Sequence, residues 1–294
     1  MAGIGSNVRA EIALRFGVVD PRGVRARLAV LTPATGHAEL AGAEAANPFR
    51  AALYLLAECV QELGPFRGPQ IGPGLLGELL PVDRDYLLIH LNRLTFGDVR
   101  YQRVHCPRTS CGHRLEVQFA LSGAALPDLA REVTAEAGGT LALPGGRWVR
   151  FGLPVASDQA ELHDLAPADL EPAFLRRCVR DDGDGGDDGG QVRCDELLAM
   201  PPALRAEVVQ RIVAACPELD LAVPLECVAC GRPFRFVFDP VRSLLAELKA
   251  SRRELIKQVH QLALRYHWSH TEILGLPRSL RHEYLDLVQA EADR

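Results

Sequence analysis

Lysine is almost missing from this chain: of 33 basic residues only Lys249 and Lys257 are lysines, and the rest are arginines. Guanidinium recognition of phosphate or carboxylate is one reading of that imbalance. Codon bias in a GC-rich genome is the simpler one, because it also explains the abundant Ala, Gly and Pro, so the imbalance names no function. No uninterrupted run of about 18 apolar residues occurs, which excludes a transmembrane helix. The opening MAGIGSNVRAEIALRFG carries charges inside its apolar stretch and has no h-region, so a cytoplasmic protein is expected rather than a secreted one. A Gly-rich phosphate loop, an HExxH helix and a nucleophile elbow are all missing, and no enzyme is expected. A basic balance is missing too. With a net charge of −5 and a pI near 6.0, the chain does not read as a general nucleic-acid binder.

What is present is the composition of an ordinary globular protein, 294 residues with 48% hydrophobic and 24% charged. That length suits two domains, or one with a sizeable insertion. Residues 1–45 mix Gly, Pro and Ala with short apolar pieces and are expected to be irregular, apart from a strand near Ala10–Val19. Asn47 followed by Pro48 is a helix start. Phe49, Leu53, Leu56, Val60 and Leu63 then recur at helical spacing up to Gly64, with Cys59 on or beside the stripe as a core residue. Gly68–Gly77 reads as a loop, and a second helix is expected over Pro81–Thr95.

From Asp98 the period changes to alternation, which predicts a strand. A second strand leaves through Leu115, Val117 and Phe119. A strand over Trp148–Leu153 is followed by helices near 158–163 and 169–180. The run DDGDGGDDGG at 181–190 has no apolar residue and reads as a solvated linker. A calcium loop would close on Glu at its twelfth position, and counting from Asp182 reaches Arg193 instead. Helices are expected over 194–200 and 202–215, then strand, knuckle and strand up to Pro240, and helix from Val241 onward. Ser269 and Glu272 offer a capping box, and Pro277 opens the last helix.

The domain division expected from this pass has six parts. They are an irregular segment 1–45, a helical region 46–97, a first knuckle hairpin 98–122, an inserted α/β segment 123–218, a second knuckle hairpin 219–240 and a helical region 241–294. The fold class is α+β, a zinc-ribbon-like pair of β-hairpins flanked by helices.

Eight cysteines in a cytoplasmic chain are reduced thiols or metal ligands before they are disulfides. Cys106-x4-Cys111-Gly112 and Cys227-x2-Cys230-Gly231 each fall at the turn of an expected hairpin. Chain reversal makes the thiolates converge, and the glycine after the second Cys supplies the positive φ that aims backbone N–H groups at sulfur. Two such pairs facing each other make a tetrahedral zinc site, here split by about 115 residues of sequence. Three other readings stay open on the spacing: four unmetallated thiols, a rubredoxin-type iron site, or two separate sites completed by His105, His113 or other cysteines. Cys178, Cys194 and Cys216 fall in helices and read as core. His260, His267 and His270 read as surface histidines rather than a second metal site.

With both knuckles and the C-terminal helices in view, the chain resembles the T-even phage baseplate hub assembly chaperone family from about Leu79 to Val288. The resemblance is carried by LPVDRDYLLIHLNRLTFGDV leading into Cys106 and Cys111, by VRFGLPVASDQAEL, and by CVACGRPFRFVFDP with VHQLALRYHWSHTEILGLPRSLRHEYLDLV. In the last stretch Tyr266, Trp268, Ser269, Glu272, Ile273, Leu274, Leu276, Arg281 and Tyr284 stand where the family pattern places them. The first knuckle departs from it, being two residues longer. The resemblance implies a non-enzymatic role in assembling the baseplate of a phage tail or contractile injection system. Baseplate, hub or spike proteins would be partners, the four cysteines the zinc ligands, and Trp268 and Tyr284 plausible interface anchors. Neither a small-molecule substrate nor a membrane partner is expected. The reading from another class is a zinc-ribbon nucleic-acid-binding regulator, using HWSHTEILGLPRSLRHEYL as a helix-turn-helix with Arg278 and Arg281 on phosphates.

Overall fold

The computed structural model describes residues 9–122, 138–181 and 190–292. The linker expected at 181–190 therefore lies, over 182–189, outside the described residues. β1 (Ala10–Val19) and β2 (Arg25–Leu31) form an antiparallel hairpin, with Ala10 opposite Leu31 and Val19 opposite Arg25. Alternation buries Ile12, Leu14 and Phe16 on one side. α1 (Gly36–Glu44) follows, capped by the Thr35 hydroxyl, which accepts from the Ala38 N–H.

Residues 9–45 thus correct the expectation of an irregular segment. The reason is the small side chains. A Cβ on Gly42 would lie 2.7 Å from Leu248, and one on Gly36 would lie 2.8 Å from Leu274, so these glycines permit close helix packing instead of breaking structure.

α2 (Pro48–Cys59) starts as expected, the Asn47 side-chain oxygen accepting from the N–H groups of Phe49 and Arg50 at 3.0 Å each. It stops at Cys59, not Gly64. The Cys59 carbonyl accepts from Thr32 N–H at 2.9 Å, and β3 (Val60–Leu63) pairs with β2 instead of continuing the helix. Val60 and Leu63 are buried in both readings, so apolar spacing did not distinguish them. β4 (Phe66–Arg67) completes a sheet of order β1-β2-β3-β4. The expected loop 68–77 contains a 3-10 turn, Gly68–Gln70, and a short helix, α3 (Pro73–Gly77).

α4 (Pro81–Phe96) ends at Gly97, φ 88°. Its fully buried Asp83 accepts from the backbone N–H groups of Arg15, Phe16 and Gly17 at 2.9, 2.9 and 2.7 Å. Burial pushes this carboxyl above its ordinary pKa against the pull of those three amides. Asp83→Ala would strand the three donors at the register shift of β1. It is expected to cost about 2–3 kcal/mol in urea unfolding, since orphaned buried donors carry the full desolvation penalty.

Two hairpins come next, β5 (Val99–His105) with β6 (Arg114–Ala120), and β7 (Gly138–Ala142) with β8 (Trp148–Gly152). Four helices follow: α5 (Ala156–Leu162), α6 (Pro167–Cys178), α7 (Cys194–Leu198) and α8 (Pro202–Ala215). β9 (Ala222–Glu226) and β10 (Pro233–Val237) make the last hairpin. α9 (Pro240–Tyr266), α10 (His270–Leu274) and α11 (Arg278–Ala292) close the chain, and the Ser269–Glu272 capping box is formed.

Every pair of named strands is antiparallel, so the chain mixes helices with small antiparallel units, as an α+β class requires. One core lies between the four-stranded sheet and α2, α4 and α9, through residues such as Leu31, Leu56, Leu87 and Leu244. Each buried leucine there contributes roughly 2 kcal/mol. A second core joins β8 to α6, α7 and α8 through Val149, Leu175, Leu197 and Ile212, with Cys178 and Cys194 inside it. Among the described residues no helix is long and apolar enough to cross a membrane.

Candidate metal centre

The knuckles sit at the tips of two hairpins that share no hydrogen-bonded ladder. In the first, full pairing from Val99–Ala120 to His105–Arg114 carries the chain to Cys106, whose N–H donates to the His113 carbonyl at 2.9 Å. Cys111 N–H and Gly112 N–H both donate to the Arg108 carbonyl, a tight reversal that absorbs the two additional residues. In the second, Cys227 N–H donates to the Arg232 carbonyl at 3.0 Å, and Gly231 N–H returns to the Cys227 carbonyl at 2.8 Å. Gly112 and Gly231 have φ of 55° and 65°, the left-handed conformation that the sequence required of them.

The two tips bring all four sulfurs within 4.8 Å of one another. The Sγ of Cys106 lies 3.8 Å from that of Cys230, and Cys111 Sγ is 3.8 Å from Cys227 Sγ. Sulfurs bound tetrahedrally to zinc at about 2.3 Å are about 3.8 Å apart, and a disulfide at about 2.05 Å is not formed. The donor set therefore fits one ion. His105 and His113 are exposed and stand outside the group, so the geometry does not draw them in as completing ligands. His260, His267 and His270 are exposed and join no such group among the described residues.

Local electrostatics favour the thiolate at Cys227 and the thiol at Cys106 and Cys111. Burial raises the Cys227 thiol, but the N–H groups of Ala229 and Cys230, with thiol donors at Cys230 and Cys106, outweigh it and bring the pKa down to about 7. At Cys106 the backbone N–H of Arg108 lowers the pKa. Desolvation and the three neighbouring thiols win, and it rises to about 11. Backbone N–H groups turned toward sulfur are what the glycine turns provide. One cysteine is thus ready to ionise near neutral pH, and a cation in the centre would favour the others.

The centre is held from below by aromatic residues of the alternating flanks, whose packing on one another the spacing argument did not assign. Phe119 on β6 meets Phe238 edge-on at 5.4 Å and Phe236 at 6.4 Å, above Ile89, Leu121 and Leu221. The signal was present in the alternation of LEVQF and FRFVF. Among the described residues, the apolar cluster at the sulfurs has Leu115 as its buried side chain besides the cysteines, with Val117 and Phe234 half-buried beside it.

Trp268 and Tyr284 are brought together with each other. Trp268 stacks on Tyr266 at 4.8 Å and meets Tyr284 edge-on at 4.9 Å, all three rings half-buried where α9 turns back into α11. The helix-turn-helix reading loses its phosphate contacts. Arg281 is fully buried with its guanidinium on Glu39 at 2.5 Å, and Arg278 lies 3.4 Å from the same carboxylate. Its first helix, α10, is only five residues long.

No curated protein and no solved structure matches this chain. The family model described as T4 bacteriophage base plate protein matches residues 50–246, which takes in both knuckles and the segment between them. That is about two thirds of the sequence, and the chain belongs to the T4 bacteriophage base plate protein family.

Proposed function

We propose that the chain is a non-enzymatic structural or assembly protein, acting at the baseplate hub of a phage tail or tail-like contractile injection particle. It would work through protein–protein contacts in the bacterial cytoplasm. The observation that carries the reading is the family match over residues 50–246. In this reading Cys106, Cys111, Cys227 and Cys230 hold one structural zinc ion, which ties the hairpin 98–122 to the hairpin 219–240 across the inserted segment 123–218. Four thiolates fill a tetrahedral shell, so the ion supplies folding energy and no open position for a substrate or water. Trp268 and Tyr284 are the proposed anchors for a partner on the C-terminal face, where aromatic rings concentrate binding energy.

The test is genetic and structural. Removing the gene from a host that makes the particle should yield tubes and sheaths without assembled baseplates by electron microscopy, and restoring the chain should rescue them. Complete baseplates in its absence would overturn the role.

A further inference from the structure

We propose that the outer tip of the two knuckles is a docking surface for an acidic protein face, contacted by Arg108, Arg114 and Arg232. This deepens the assembly reading, on which it rests for taking the partner to be a protein. The chain's net charge conceals a local excess. Residues 99–120 and 222–237 carry six arginines against two glutamates, a balance of +4, which leaves −9 on the rest of a chain of net −5. Three of those arginines are already engaged. Arg100 is buried on Asn92, Arg103 faces Glu116 at 3.2 Å, and Arg235 faces Asp220 at 3.1 Å. The other three are exposed, and no carboxylate partners them among the described residues. Their positions are those of the metal knuckles: Arg108 between Cys106 and Cys111, Arg114 two residues after Gly112, and Arg232 directly after Gly231. The convergence of the sulfurs brings together the two loops that carry these three arginines. Val228, 83% exposed, stands between Cys227 and Cys230 as an apolar centre. Glu226 is the one carboxylate within residues 105–114 and 226–233.

The partner's class follows from range. A tetrathiolate zinc centre carries −2, so with Glu226 it cancels the three arginines when seen from a distance. What survives is contact at short range, where exposed guanidinium forks take carboxylates in pairs while the thiolates stay behind their own N–H donors. A nucleic acid suits this poorly. It needs a continuous basic stripe, and outside these two hairpins the sequence balance is acidic, at −9. The nearest strongly exposed aromatic residue, Tyr101, is paired with Gln118, four residues down the hairpin from His105. Residues 105–114 and 226–233 contain no Phe, Tyr or Trp, and the rings there are the two exposed imidazoles of His105 and His113. A protein patch of carboxylates around an apolar spot meets only the arginines and Val228.

The experiment places a photocrosslinking amino acid at position 228 of the full chain in a host producing the particle, and sequences the linked peptide. Expected is one baseplate protein joined through an acid-rich segment, with yield falling about tenfold or more in Arg108→Glu/Arg114→Glu/Arg232→Glu. Yield should return when the partner's acids are changed to arginine. Zinc content and melting temperature of the triple variant must match those of the parent, and Arg232→Glu alone serves if the triple does not fold. Linkage to nucleic acid, to a neutral or basic peptide or to the chain's own Asp181–Asp188 stretch would overturn the surface. So would a yield indifferent to charge reversal, or no linkage at all. Normal baseplates without the gene would count against the assembly role alone, since the charge-swap rescue reads the contact itself.

Discussion

Cys227→Ser is expected to abolish stoichiometric zinc binding and to lower the melting temperature by roughly 10–20 °C. The parent should release one zinc per chain when its thiols are titrated with a mercurial. The magnitude follows from how little else joins the two hairpins. They share no ladder, their common apolar cluster near the sulfurs consists of Leu115 with half-buried Val117 and Phe234, and the aromatic base lies at the other end of the strands. A structural zinc contributes on the order of 10–16 kcal/mol to the folded state. Losing one thiolate of four should forfeit at least about 4–5 kcal/mol of that, and each kcal/mol moves the midpoint by about 2–4 °C at this chain size. Cys227 is fully buried and is the thiol whose backbone donors favour the anion, so its loss removes the ligand that ionises first. Cys216→Ser is the control: half-buried at the end of α8, outside the sulfur group, it should keep its zinc and lose about 1 kcal/mol or less. Binding should also weaken as pH falls, since zinc must displace protons from the raised Cys106 and Cys111 thiols throughout the neutral range, and more steeply below about 7, where Cys227 is protonated as well. Zinc content and melting unchanged in Cys227→Ser would remove the centre.

The centre was legible because its chemistry is local. Spacing, the following glycines and the alternating flanks are all contained within Cys106–Phe119 and Cys227–Phe238. Only the meeting of the two stretches was a long-range inference, and the sulfur separations place them together. Helices with a strong apolar stripe or a clear cap were equally readable, α2 from Asn47 and α10 from Ser269 among them. What failed to show was structure whose cause lies elsewhere in the chain. Val60–Leu63 carries the helical spacing of the preceding residues and becomes a strand because β2 offers it an open edge. α1, GHAELAGAE, has almost no apolar stripe. Its close packing against Leu248 and Leu274 leaves room only for glycine at positions 36 and 42. The basic tip was hidden for a related reason, since a net charge of −5 averages over faces that a partner meets separately.

Glu39→Gln is expected to destabilise the protein by about 3–5 kcal/mol and to release the C-terminal helices to limited proteolysis before the rest unfolds. Glu39 in α1 is 2% exposed and Arg281 in α11 is 0% exposed, and their 2.5 Å ion pair joins the two ends of the sequence. Both lie outside the matched range 50–246. Removing one partner of a buried pair leaves the other charge without compensation, and that produces the large cost. Gln retains the shape and one acceptor, but Arg278 loses its anion together with Arg281. Arg281 keeps the Leu276 carbonyl at 2.6 Å and the Gln258 side chain at 3.1 Å, so it stays hydrogen-bonded while losing its counter-charge. Glu39→Leu combined with Arg281→Met separates charge from packing. With no buried charge left at that point, the double variant should be more stable than Glu39→Gln, because a well-packed apolar pair costs less than an isolated buried ion. A double variant less stable than both Glu39→Gln and Arg281→Met would mean that the pair contributes net attraction beyond its desolvation. A loss below about 1 kcal/mol in Glu39→Gln would mean that water reaches Arg281 and that the clasp is not closed in solution.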